Sequence, residues 1–224
     1  MLNDSPIDVQ VWSDIACPWC YIGKRNLDQA RAAFAEEPGN PPVNVAFRSF
    51  ELSPETPADF PGDTVDYLVG RKGISPEQAQ AMVDRAAAAG RQAGLDYDYG
   101  ILKPTNTAAA HRLTHHAKAR GLQMEMVERL FRAHFTEGRH LGDAEELADL
   151  AADVGLDRAD ALRSLIDGEH VADFEEDKAV AAGYGIQGVP FFVFDGKYAV
   201  SGGQPPEAFR QVLDHLVADS SPST

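Results

Sequence analysis

Cysteine is nearly absent from this 224-residue chain, which carries two, three positions apart. That excludes the disulfide framework of a small secreted scaffold and leaves the pair with local chemistry or none. Positive charge is also short, with 20 Lys+Arg against 35 Asp+Glu and a formal net charge of -15, so nucleic acid would be repelled rather than steered in. Long apolar runs are missing too. The most apolar patches are short ones such as Val189 to Phe194, well under the ~18 residues of a membrane span, so no membrane role is expected. The start, Met1-Leu2-Asn3-Asp4-Ser5-Pro6, carries acid where a secretory signal needs base, and the expectation is a cytoplasmic protein. Hydrophobic residues make up 44%, enough for one good core or for a domain with a large insertion.

Apolar-polar alternation predicts strands over 7–12 and 43–52, with a helix from Tyr21 to Phe34 between them that ends at Pro38-Gly39-Asn40-Pro41-Pro42. This is a β-α-β unit, and Cys17-Pro18-Trp19-Cys20 stands where its helix opens. Helical patterns follow near 76–93, 107–120, 123–137, 143–154, 158–166 and 170–183. Ser75-Pro76-Glu77-Gln78 and Asp143-Ala144-Glu145-Glu146 read as start signals, and Gly94, Gly121 and Gly155 as stops. Strands return over 188–194 and 197–201 around an Asp195-Gly196 hairpin turn. An amphipathic helix after Pro205 buries Phe209, Val212, Leu213 and Leu216, and Ser220 to Thr224 reads as a frayed tail. Without the helical block, the remainder has the layout of a small α/β domain with one sheet.

Two thiols two residues apart at a helix start can close a small disulfide, and the first sits where free N–H groups and the helix dipole favour an anion. Cys17 is therefore expected to be the attacking thiolate and Cys20, one turn on, the resolving thiol. The same spacing is half a zinc site, but a structural site needs four ligands and would have to recruit histidines such as His111 and His115, so no metal is expected. The two cysteines could also simply be packed in the core.

The strand-loop-Cys17-Pro18-Trp19-Cys20-helix arrangement, the long helical stretch and Gly188-Val189-Pro190 before a strand resemble the DsbA-like branch of the thioredoxin superfamily. Within it, Cys17 to Gly23, Asn106-Thr107, Ala110-His111-Arg112-Leu113, Phe131 to Gly138 and Ser201 to Pro205 resemble the FrnE-like subfamily. The resemblance implies an α/β thioredoxin fold interrupted by a large all-α insertion: residues 1–54 and 169–224 form the thioredoxin part and 55–168 the insertion. It implies a thiol-disulfide oxidoreductase or isomerase acting on protein or peptide thiols and disulfides, with glutathione a candidate co-substrate, no bound cofactor and the question of a homodimer open. It further implies that Pro190 is a cis-proline facing the cysteines, that the Val189 backbone binds substrate, and that Asn106 and His111 lie close to the groove. From the residues alone, Asn106 reads equally as an N-cap and His111 as a helix-surface residue.

Trp19 is expected to be partly exposed and to pack on substrate. Thioredoxins carry a buried acid six positions before the first cysteine where this chain has Val11; Asp14 nearby could substitute as a proton shuttle, but it reads rather as a solvated loop carboxylate. His115, His116, His134, His140, His170 and His215 show no pairing that marks a site, and Phe131 and Phe135 read as core. Two other functions remain. One is a glutathione-dependent isomerase or transferase, as in the kappa-class and 2-hydroxychromene-2-carboxylate isomerase relatives of this fold, to which a resolving Cys20 would be superfluous. The other is a non-catalytic, chaperone-like peptide-binding module.

Overall fold

The computed structural model describes residues 5–220; the readings made on Met1 to Asp4 and on Ser221 to Thr224 lie outside them. Alternating Ile7, Val9 and Val11 put one apolar face on strand β1 (Ile7–Ser13), while Trp12 points to the other. Strand β2 (Val43–Ser49) runs parallel to β1, with Ile7 opposite Val43 and Ser13 opposite Ser49. Helix α1 (Pro18–Ala35) is the crossover between them. Strands β3 (Phe191–Phe194) and β4 (Tyr198–Ser201) complete a four-stranded sheet in the order β2-β1-β3-β4, with β3 antiparallel to both β1 and β4. Asp195 (φ 49°) and Gly196 (φ 66°) both take positive φ in a turn closed by Lys197 N donating to Phe194 O at 2.9 Å, as the Asp-Gly pair predicts, while Phe194 pairs with Tyr198 so that Lys197 also falls in the loop.

Helix α9 (Pro206–Ser220) and α1 cover one face of the sheet, where Phe209 meets the Phe192 ring edge-on at 4.7 Å. Helix α8 (Val171–Gly183) covers the other, packing Ala181 against Trp12. Its Asp177 ties α8 to both β1 and β2. The carboxylate accepts from Ser49 N at 2.8 Å and Arg48 Nη1 at 2.9 Å, and the backbone carbonyl accepts from Trp12 Nε1 at 3.0 Å.

Between β2 and α8 lie helices α2 (Thr64–Lys72), α3 (Pro76–Gln92), α4 (Ala108–Lys118), α5 (Gln123–Thr136), α6 (Ala144–Asp153) and α7 (Arg158–Ile166). The helical insertion is therefore present, with its helices close to the expected bounds except for α2, which the periodicity does not predict. Its start is a capping box, with Asp66 N donating to Asp63 Oδ1 and Asp63 N to Asp66 Oδ2, and Gly73 (φ 63°) ends it. The fourth strand is one residue shorter than expected, and two others are shortened by three. The second stops at Ser49 because β1 ends at Ser13, and Leu52 N donates to the Asp14 carboxylate instead of to a strand. The third begins at Phe191, since Pro190 has no N–H to give a ladder.

The insertion docks through both polar and apolar groups. Gln123 on α5 pairs its amide with the backbone of β2, accepting from Phe47 N at 3.1 Å and donating to Phe47 O at 2.9 Å. A single hydrophobic cluster runs from Val9, Phe192 and Leu213 of the sheet layers to Leu113, Leu130 and Phe131 of the insertion.

Candidate active site

Cys17 occupies the N-cap of α1 with extended backbone, and Pro18 follows at the first helical position, where its missing N–H costs nothing. The loop entering the helix is pinned from below: Cys17 N donates to Asp14 O at 3.1 Å and Cys20 N to Cys17 O at 3.0 Å. From the insertion, Tyr97 donates its hydroxyl to Pro18 O at 2.8 Å. Tyr21, directly after the motif, stacks on Phe131 of α5 at 4.9 Å, and its hydroxyl donates to Glu128, which also accepts from Lys24 and Arg25. The motif is thus held between a sheet-borne helix and the insertion.

The two thiols are free and differ in setting. Cys17 is 3% exposed but lines a cavity of about 420 Å³. Its Sγ lies 3.7 Å from Val189 O, across from a cis Val189-Pro190 bond. Val189, whose backbone is the expected substrate contact, lines the same cavity. Cys20 is 1% exposed and does not line it. Burial first, and then the hydrogen bond and charge of the Cys17 sulfur, push the Cys20 thiol well above its ordinary pKa. Trp19 is partly exposed, as expected, at 38%, and it lines the cavity.

Helix α1 can lie this close to Pro190 only because position 23 is glycine. A Cβ there would sit 3.0 Å from both Pro190 Cγ and Phe192 Cζ.

The expectation for Asp14 requires correction. Its carboxylate is buried, accepting from Ala16 N at 3.1 Å, Leu52 N at 2.7 Å and Thr107 Oγ1 at 2.9 Å, with His111 Nε2 3.6 Å away. Burial would raise its pKa, but the His111 imidazole and the backbone N–H groups of Leu52 and Ala16 outweigh it and hold the carboxyl below its ordinary value. A loop carboxylate three residues before Cys17 therefore serves as the anchor of the active-site turn.

Neither Asn106 nor His111 lines the cavity, although Thr105, next to Asn106, does. Asn106 Oδ1 accepts from Ala108 N at 2.9 Å, capping the start of α4, and its Nδ2 donates to Pro54 O at 3.0 Å. His111 is buried beneath the active-site turn against Asp14, neither at the groove nor on the helix surface.

Groups not singled out in the sequence complete the site. The far cavity wall comes from α2 with Tyr67, Arg71 and Lys72, from Tyr99, and from His134 and Phe135 at the end of α5. Phe135 and Phe131 are buried, as their helical spacing predicts. His134, 2% exposed, has no partner for Nδ1 among the described residues, and burial lowers its pKa to about 4 although the Asp14 charge opposes the shift. Burial, and then the Cys17 charge, raise the Tyr99 phenol, so it stays a donor; its oxygen too has no partner among the described residues. A residue-by-residue reading cannot find these two, since each lies far from the motif in sequence and only the packing of α5 and the 99–105 loop against α1 brings them in.

Elsewhere, ligand atoms of His116, Glu169 and His170 lie within 4.8 Å of one another, a spacing a metal ion can use. Arg120 Nη1 stands 3.2 Å from His116 Nδ1, and a fixed guanidinium there opposes a second cation.

No helix among the described residues is long and apolar enough to cross a membrane. Residues 8–214 match the DSBA-like thioredoxin domain family. An uncharacterised Bacillus subtilis protein, YwbO, is 27% identical over 213 residues, 92% of this chain and 96% of its own. The crystal structure of a probable DsbA oxidoreductase from Streptomyces coelicolor superposes with a TM-score of 0.87 at 38% identity, covering 97% of this chain and 93% of that one. The cytosolic disulfide reductase DsbM of Pseudomonas aeruginosa shares the fold at 21% identity, with a TM-score of 0.65 over 94% of this chain and 98% of its own. By motif, architecture and the family match across most of its length, the chain belongs to the DSBA-like thioredoxin domain family, whose general chemistry is disulfide oxidoreduction.

Proposed function

We propose that the protein is a dithiol-disulfide exchange enzyme in which Cys17 attacks and Cys20 resolves. The observation that carries this reading is the asymmetry of the pair: Cys17 Sγ faces the cavity beside Val189 O, while Cys20 is walled off with a raised pKa. The Cys17 thiolate attacks one sulfur of a substrate disulfide, forms a mixed disulfide and expels the first substrate thiolate. Cys20 then gives up its proton and attacks Cys17 Sγ, closing the Cys17-Cys20 disulfide and expelling the second thiolate. The substrate gains two electrons, the enzyme loses two, and the protons end on the released thiols. Two equivalents of an external thiol return the enzyme to the dithiol: the first forms a mixed disulfide with the enzyme, and the second attacks it and leaves with the first as their disulfide.

Reduction or isomerisation in a reducing compartment is the direction we infer, with protein or small-molecule disulfides as substrates and a low-molecular-weight thiol such as glutathione as the reductant. Trp19 adds no positive charge beside the thiolate, unlike a histidine at that position, so this motif lacks one device that favours a strong oxidant. The test compares Cys17→Ser and Cys20→Ser with the parent in insulin reduction and in oxidation of a reduced protein. Cys17→Ser should be inactive, and Cys20→Ser should accumulate a mixed disulfide visible by intact mass. Parent-level activity in both variants would overturn the assignment.

A further inference from the structure

The cavity beside Cys17 carries a charge balance opposite to that of the whole molecule. The chain holds 35 Asp+Glu against 20 Lys+Arg, yet among the described residues no Asp or Glu lines this cavity while Arg71 and Lys72 both do. Neither base forms an ion pair among the described residues, and Arg71 makes a hydrogen bond only to the backbone carbonyl of Leu52. Bases in the last turn of α2 suit that helix's C-terminal dipole, which accounts for their place in the sequence. It does not account for a wall stripped of acids in a chain this acidic. Unpartnered polar atoms supply a second, independent observation. Thr64 Oγ1, Tyr99 Oη and the 2%-exposed His134 Nδ1 are buried without partners among the described residues, and all three residues line this same cavity. Buried polar atoms without partners are costly, and a polar ligand in the cavity would satisfy them.

From these observations we infer that the cavity is a subsite for small, carboxylate-bearing disulfides and thiols, with Arg71 and Lys72 holding the carboxylate while the substrate sulfur meets Cys17. The inference rests on the exchange chemistry proposed above and adds substrate class and specificity residues to it. A cavity of about 420 Å³ closed by α2, α3 and the 99–105 loop suits a compact molecule carrying several polar groups. The chemical step is the one already written: the Cys17 sulfur bonds to one substrate sulfur, the substrate S–S bond breaks, and the carboxylate-bearing partner leaves as thiolate.

Three disulfides of different charge test it on the full-length protein: oxidised glutathione (net anionic), bis(2-hydroxyethyl) disulfide (neutral) and cystamine (a dication). The expected order of kcat/KM is anionic, neutral, cationic. In Arg71→Gln/Lys72→Gln the ratio of anionic to neutral kcat/KM should fall about fivefold or more, the sum of two screened contacts. In the single Lys72→Glu variant the cationic probe should gain on the anionic one. Because Arg71 also bonds Leu52, Lys72→Gln alone is the control for folding, and it should move the ratio in the same direction. Reaction with all three probes at similar rates, or a ratio that the substitutions leave unchanged, would overturn the subsite while the exchange chemistry stands. A Cys17 that reacts with none of the probes or with insulin would overturn both.

Discussion

A buried histidine with an unpartnered ring nitrogen is a liability with a definite pH signature. His134 keeps its pKa near about 4 in the folded protein, against 6.5 for an ordinary histidine. As pH falls through 6.5 the unfolded chain takes up a proton there and the folded one does not until about 4, so stability falls across that window and is unaffected above it. The difference corresponds to about 3 kcal/mol. His134→Gln, uncharged at every pH, should therefore lose about 3 kcal/mol less than the parent between pH 7 and pH 4, measured by urea unfolding at several pH values. Parallel pH dependences for the two proteins would contradict a buried neutral His134. The Asp14 carboxyl, held below its ordinary pKa, contributes stability that is lost only at lower pH, outside this window. Residues at this scale divide by the reach of their partners. Cys17, Cys20, Val189 and Pro190 were legible because a motif and a resemblance mark them by local pattern. Asp14 and His134 were not, because their burial depends on Thr107, Leu52 and the packing of α5, and no short-range rule distinguishes such residues from solvated ones.

Elements close the site by sealing one another's exposed polar edges. Strand β2 is an edge strand, and Gln123 occupies its open side by giving Phe47 both a donor and an acceptor. Replacing it with leucine keeps most of the volume and removes both bonds, leaving a buried N–H and C=O unsatisfied. Gln123→Leu is expected to cost about 2–4 kcal/mol, with the Phe47 amide exchanging faster with solvent than its neighbours on β1. Unchanged protection at Phe47 would mean that the α5–β2 pairing contributes nothing. Most elements were legible from hydrophobic period and caps, and the Asp195-Gly196 hairpin from its turn residues. Helix α2 was the exception. Only one of its residues, Thr64, is buried, so no apolar stripe advertises it, although Asp63, Asp66 and Gly73 spell out a start and a stop. The element that sequence patterning hides is the one that brings Arg71 and Lys72 to the cavity.

At the scale of the whole molecule, helices α2 to α7 lie between β2 and α8 in the chain but share the core of the sheet layers. Phe131 of α5, fully buried, stacks on Tyr21 of α1 with the rings nearly parallel, and the cluster around them continues to Val9 and Phe192 in the sheet. Asp177 fastens α8 to β2 and stands 3.2 Å from His115 of α4, a polar link across the same boundary. With so much of the core common to both, neither part buries its apolar surface alone, and the helical insertion is a feature of chain order that shares one core with the sheet. Phe131→Ala should therefore cost about 3–5 kcal/mol and register equally in both parts. The measurement places the substitution in a Trp19→Phe background, so that emission reports Trp12 beneath α8 while far-UV ellipticity reports mainly the helices. Both signals should shift to the same lower denaturant midpoint and remain superimposable. A helical transition that moves while the Trp12 transition stays in place would make the insertion an autonomous domain. The cavity beside Cys17 would then open and close with it, whereas a common core holds Arg71, Lys72 and His134 in fixed register with the thiol.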